Sequence, residues 1–391
     1  MNRRNFIRLA GGGIVVAAAA GGAGAYALRS SYPTAAVEAW NGPGAEADPR
    51  KRALAYAITA PNSHNLQPWL VDLRREGEIT VFMDPQRVLP ETDPFGRQIL
   101  VSHGAFLELL VIALAEQGLR SEVALWPQGE LGQQLKGWDR RPVAQLRLAP
   151  GAQRDPLFAQ ILNRHTPKVD FDTARPVGAQ TLSSLLAAVP AGGFQAGGTV
   201  DAARLPALRS LCWESAKVEL LTPATVMESV RLTRVGPDEI LRHRDGISVN
   251  SAMPRIAAAL GMFDRSNPPA EGSPAYQQMM SRFKGHSDTA MGFVWLATPG
   301  NSRSQQVEAG RAYVRLQLKA TELGVGVHPM SQALQEFKEM APFYEQAHQL
   351  LIGRSAPRTS AEPTVQMFCR IGYTPAAVPA TPRKALSHFV L

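Results

Sequence analysis

Pro61-Asn62-Ser63-His64-Asn65-Leu66-Gln67-Pro68-Trp69 is a loop-like run between a helical pattern and a strand pattern. Two prolines restrict the backbone at its ends. Between them Asn62, Ser63, Asn65 and Gln67 offer amides and a hydroxyl able to donate and accept toward one flat polar ring. Taken singly, each of these residues reads as an ordinary turn former. Taken together they read as a clasp for a ligand.

Before this run, Asp48-Pro49 is an N-cap followed by a first-turn proline, and a helix is expected from there to about Thr59. Beyond the clasp, Leu70 to Leu73 and Glu78 to Met83 read as strands, and Asp84 to Gly96 as a Pro/Asp-rich loop. Gln98 to Gln117 reads as a buried helix stopped by Gly118. It has the length of a membrane span, but Ser102, His103, Glu108 and Glu116 interrupt it. Strands at Glu122 to Trp126 and Val143 to Leu148 close this part. The scheme then restarts, with helices at 156–162, 180–188, 206–220 and 224–232, a strand at 289–298, a helix at 305–323 stopped by Gly324, and a strand at 364–373. The stretch 237–287 reads as irregular covering structure, and 374–391 as a Pro-rich tail. The fold class is α+β.

A length of 391 residues suits about two domains, and 45% apolar composition suits a buried core. Charged residues make up 19%, which argues against disorder. The net charge of +8 is scattered, with no basic run or aromatic-rich motif, so no nucleic-acid partner is expected. Cys212 and Cys369 make no disulfide framework and read as separate buried thiols, and no histidine spacing suggests a metal. Arg3-Arg4-Asn5-Phe6-Ile7-Arg8, followed by a Gly/Ala-rich run, resembles a twin-arginine export signal, with Ala25-Tyr26-Ala27 as a cleavage site. This implies a transient translocase partner and a periplasmic location, or one on the outer face of the cytoplasmic membrane.

The clasp resembles the P-S-S-x-N-x-Q-P-W segment of the FMN-dependent nitroreductase superfamily, with Asn62 in place of Ser. Arg164-His165-Thr166-Pro167-Lys168 resembles that family's R-R-S-x-R segment, with a hydroxyl and a cation retained at Thr166 and Lys168. Arg370-Ile371-Gly372-Tyr373 and Pro382-Arg383-Lys384 resemble its closing elements, and Ala320-Thr321-Glu322-Leu323-Gly324 the end of its central helix. The resemblance implies FMN as cofactor. Asn62, Ser63, Asn65 and Gln67 would lie at the flavin ring, and Arg164, His165, Thr166 and Lys168 along the ribityl chain and phosphate. Arg383 would lie on the phosphate, and Met330-Ser331 would present a backbone N–H to flavin N5. No catalytic side chain is singled out.

The clasp occurs once, early, and the basic segment once, late. After Ala188 the chain reads Pro190-Ala191-Gly192-Gly193 where a second clasp would fall. The expectation is therefore two tandem nitroreductase-like halves, 48–150 and 151–391, forming an intrachain pseudo-dimer with one composite FMN site. Residues 1–30 would be the signal and 31–47 a linker, and the assembly would be a monomer. Two functions fit this pattern. One is an FMN-dependent oxidoreductase working with a small-molecule acceptor or a quinone-like donor, and the other is a non-catalytic FMN store with a lidded site.

Overall fold

The computed structural model describes residues 32–190, 193–261 and 263–391, so the export signal lies outside the described residues. Segment 31–47, expected as a linker, holds a 3-10 helix, Thr34–Asn41, with Ala36 buried. A linker carries no anchor, but here the Trp40 indole donates to the Thr381 carbonyl at 2.8 Å and fastens the segment to the C-terminal tail.

Helix α1 (Pro49–Ala57) opens as its cap signature requires, with Asp48 accepting from the Arg50 N–H at 2.8 Å. Strands β1 (Trp69–Asp72) and β2 (Glu78–Met83) follow, then helix α2 (Arg97–Glu116), whose first turn is capped by the Asp93 carboxylate on the Gln98 and Ile99 N–H groups. Strands β3 (Leu119–Leu125) and β4 (Pro142–Pro150) complete an antiparallel sheet of order β1-β2-β4-β3. The 156–162 stretch is a short 3-10 turn, Pro156–Gln160, and α3 spans Ala179–Leu186.

A second antiparallel sheet is built from β5 (Gln195–Thr199), β8 (Gly292–Thr298), β9 (Gly326–Pro329) and β10 (Thr364–Gly372), in the order β5-β8-β10-β9. Strands β8 and β10 are buried at every position, which explains the apolar run of β8, while the buried Gln366 and Arg370 of β10 are hydrogen-bonded. Helix α9 (Arg303–Glu322) starts on a capping box formed by Ser302 and Gln305 and lies between β8 and β9, as α2 lies between β2 and β3. Helix α10 (Ala341–Ile352) precedes β10.

Helices α2 and α9 cross at the centre, backbone against backbone. A Cβ on Gly104 would lie 1.8 Å from the Val307 carbonyl oxygen, and a Cβ on Gly310 would lie 1.9 Å from that of Val101. The contact is reciprocal: the glycine of each helix meets the valine one turn earlier on the other, which is how a self-complementary interface is made. Val307, Val314 and Leu318 join the core beneath the first sheet, and Val101 joins the core beneath the second.

Between β5 and β8 lies an insertion. It contains α4 (Leu205–Leu221), α5 (Pro223–Leu232), α6 (Gly236–His243), α7 (Ala252–Ala259), α8 (Pro274–Asp288), and a parallel pair of β6 (Thr233–Val235) with β7 (Ile247–Val249). The irregular cover expected over 237–287 is thus largely regular structure. The tail is also ordered: Phe389 fills the first core, and Val71 exchanges backbone hydrogen bonds with Phe389 and Leu391, so the chain's end covers the β1 edge. Cys212 and Cys369 are free and buried.

Candidate functional site

The clasp is a strained turn. His64, Asn65 and Gln67 have φ of 48°, 53° and 54°, a left-handed region that non-glycine residues seldom occupy. Its own amides hold it there. Asn62 Oδ1 accepts from the Gln67 N–H at 2.8 Å, and Asn62 Nδ2 donates to the Ala60 carbonyl at 3.0 Å. Asn65 Nδ2 donates to the Pro382 carbonyl at 3.0 Å while its Oδ1 accepts from Arg383 at 2.6 Å. Gln67 is fully buried; its Nε2 donates to the Asn65 and Arg244 carbonyls, and its Oε1 accepts from the Lys384 N–H. The side-chain amides of Asn62, Asn65 and Gln67, expected on a ligand ring, are therefore engaged in shaping the loop and gripping the tail. The Ser63 N–H donates to Ser102 Oγ at 3.1 Å, and its hydroxyl makes no hydrogen bond among the described residues.

Arg164 and Arg383 meet at the C-terminal end of α1. Arg383 donates through Nε to the Ile58 carbonyl and through Nη2 to those of Thr59 and Ala60; its Nη1 donates to Asn65 Oδ1, Thr381 Oγ1 and the Pro382 carbonyl. Arg164 shares the Thr59 carbonyl at 3.0 Å and reaches Gln317 Oε1 on α9, also at 3.0 Å, while Thr166 Oγ1 accepts from it at 3.3 Å. Trp40 lies against both guanidinium groups and against the His165 ring, whose centroid is 4.6 Å from its own. Two buried cations without a carboxylate are tolerable because the negative end of a helix dipole faces them. Burial still lowers both, Arg164 to about 10 and Arg383, with the Arg164 charge adding, to about 9. The donors of Arg383, expected on a phosphate, are taken up by protein oxygens. Arg164 keeps its Nε unpaired, and His165 its Nδ1.

Lys168 lies in a different environment. Its side chain is exposed, yet surrounding protein lowers its pKa to about 8, with Arg282 and Arg383 contributing. Arg282, on α8, has the same combination of exposure and a pKa lowered by desolvation. The two observations are compatible if the head groups face a recess that is open to water but ringed by protein. Near these cations stand His64, lowered to about 4 by burial and by Lys168, and His286, lowered to about 3 by burial, Arg370 and Arg282. His328 is held well below its ordinary value by burial and the same cations; its Nδ1 accepts from Arg370 Nε at 3.0 Å, so the neutral ring carries its proton on Nε2. The side chains of Lys168 and Arg282 form no hydrogen bond or ion pair among the described residues, although the Lys168 backbone bonds His286. Such a wall suits an anion.

Met330 and Ser331 follow β9 at the edge of the second sheet. The Met330 N–H donates to the Phe368 carbonyl at 2.8 Å, so it is committed to the sheet, and Ser331 begins a 3-10 turn, Ser331–Leu334. Trp40, Arg282, His286 and His328 were absent from the expected site. Only Arg282 and His286, four apart on one helix, share a visible spacing signal.

The insertion closes over the clasp. His64 Nε2 lies 3.1 Å from Ser229 Oγ, and the Gly246 N–H donates to the Asn65 carbonyl at 3.3 Å. Asp245 pairs with Arg87 of the first sheet's loop and with Arg234, both at 3.0 Å, and with Lys384 of the tail at 3.6 Å. Burial opposes its ionisation, but the Arg87 and Arg234 hydrogen bonds outweigh this and hold its pKa below the usual carboxylate value.

No protein-family model matches the chain. Over 374 residues, 91% of this chain and 96% of the other, it is 26% identical to a Mycobacterium tuberculosis protein named "Putative NAD(P)H nitroreductase". A second M. tuberculosis protein, uncharacterised, is 32% identical over 126 residues, 32% of this chain and 36% of that one. Among solved structures, the FMN-dependent nitroreductase of Mycobacterium smegmatis in complex with NADPH matches 59% of this chain and 94% of its own at 19% identity and a TM-score of 0.34. A superposition that loose adds no weight to the fold.

Proposed function

We propose that the chain is an FMN-binding protein of the nitroreductase-like superfamily, with one composite site in which the recess takes the phosphate end of the cofactor. The observation that carries this reading is the meeting of the clasp from the first sheet's half with the basic segment 164–168 and the tail from the second, beside two exposed cations, Lys168 and Arg282, whose side chains form no ion pair among the described residues. The residues fit the group: Lys168 and Arg282 offer unpaired donors for a phosphate, and Arg164 Nε and His165 Nδ1 are buried polar atoms without a partner. Bound FMN would supply hydride or electron exchange. The chain's own residues would orient it, exclude water through the insertion, and keep His64, His286 and His328 neutral at physiological pH.

The same reading includes an intrachain pseudo-dimer, supported by the two sheets of like strand order and by the reciprocal glycine contact of α2 and α9. It also includes twin-arginine export, supported by the Arg3-Arg4 pattern. Replacing both arginines by lysine should leave unprocessed precursor in the cytoplasm, and unchanged export would remove that part.

One observation favours storage over turnover: Asp245 ties the insertion to both the first half and the tail, directly above the clasp. The two activities separate on one measurement. The purified protein should show a flavin spectrum, and NADPH added without oxygen should bleach it if the protein is an oxidoreductase open to nicotinamide. A flavin that stays yellow means storage or another donor, and a protein that binds no flavin refutes the reading.

A further inference from the structure

Helix α8 and the segment after Lys168 are fastened together by one side chain. Arg370 donates to the His286 carbonyl at 2.9 Å and to the Val169 carbonyl at 2.6 Å, and lies over the Phe171 ring. The Phe171 N–H donates to Thr289 Oγ1 at 3.0 Å, just beyond the helix. Packing is close, since a Cβ on Gly285 would lie 2.5 Å from an Asp170 carboxylate oxygen. This join sets Arg282, one turn before His286, beside Lys168. Asp170 is the nearby acid, but it faces Gly285 and the Arg370 charge and forms no ion pair with either free cation. Two like charges held side by side on separately anchored segments repel each other unless an anion lies between them.

We propose that Arg282 and Lys168 form a two-cation grip on a phosphomonoester, so that the insertion itself supplies a phosphate ligand, while Arg383 serves as a structural lock for the clasp and tail. This rests on the flavin reading of the same recess. A guanidinium with no partner can offer a fork to two phosphate oxygens, which the lysine supplements as a point charge. Because α8 belongs to the insertion, occupancy of the recess would also draw the insertion onto the ligand.

The test compares FMN with riboflavin, which lacks the phosphate, by fluorescence titration of the wild-type protein, R282Q and K168Q. Each substitution should weaken FMN by about ten- to a hundredfold and leave riboflavin unchanged. Unchanged FMN affinity, or an equal loss for both flavins, would overturn the grip while leaving flavin binding itself intact. If the wild-type protein binds neither flavin, the flavin reading fails, and inorganic phosphate followed by 31P line broadening takes over as probe. Weaker phosphate binding in R282Q then supports the grip, and no difference overturns it. If R282Q folds poorly, R282K keeps the charge without the fork and should lose part of the affinity; full retention counts against the proposal.

Discussion

Arg383 and Arg282 are both arginines near one site, and their surroundings give them opposite work. Arg383 is buried and its donors end on carbonyls and side-chain oxygens of the loop after α1, the clasp and its own tail. Arg383→Ala would leave those acceptors buried and unpaired. Charge-assisted hydrogen bonds are worth about 1.5–3 kcal/mol, so urea unfolding should show a loss of about 3 kcal/mol. Unchanged stability would mean that the tail is not locked by this residue. The sequence pattern pointed to Arg383 but could not show its protein partners, because backbone carbonyls at a helix end leave no mark in composition. Asn65 and Gln67 were legible as polar loop residues for the same reason that their orientation was not. A side-chain amide that can reach a ligand can equally reach a neighbouring carbonyl.

Among elements, the pair α2 and α9 decides how the two sheets meet. Gly104→Ala or Gly310→Ala would place a methyl group under 2 Å from a carbonyl oxygen of the partner helix, so the helices must separate. Overpacking of this kind costs about 1–3 kcal/mol, and the reciprocity of the contact predicts similar losses for the two variants in thermal unfolding. A loss at one position only would show that the crossing is not symmetric. Both helices were plain in the sequence from their length and their Gly118 and Gly324 stops. Strand β5 was hidden because Gly197 and Gly198 replace its apolar alternation; the Trp295 indole fills the space over Gly197, where a Cβ would come within 2.3 Å. In the insertion α4 and α5 were legible as helices, but its later part was not, for another reason. Its helices α6 and α7 span eight residues each between Gly, Pro and Ser signals, too short for periodicity to stand out.

At the scale of the whole molecule, the chain crosses between its two sheets more than once. The basic segment, α9 and the tail all come from beyond the first sheet's residues, yet Arg164 and Arg383 grip the end of α1, and Phe389 completes the first core. The clasp is thus held by residues more than three hundred positions away, as in the Asn65 to Pro382 bond. Such dependence is what the proposed single site, shared by two halves, requires. The most direct measurement is the binding stoichiometry of FMN on the full chain, titrated by fluorescence on protein whose mass is fixed by light scattering. One FMN per monomeric chain is the expected result. Two per chain, or one shared between two chains, would contradict the single composite site.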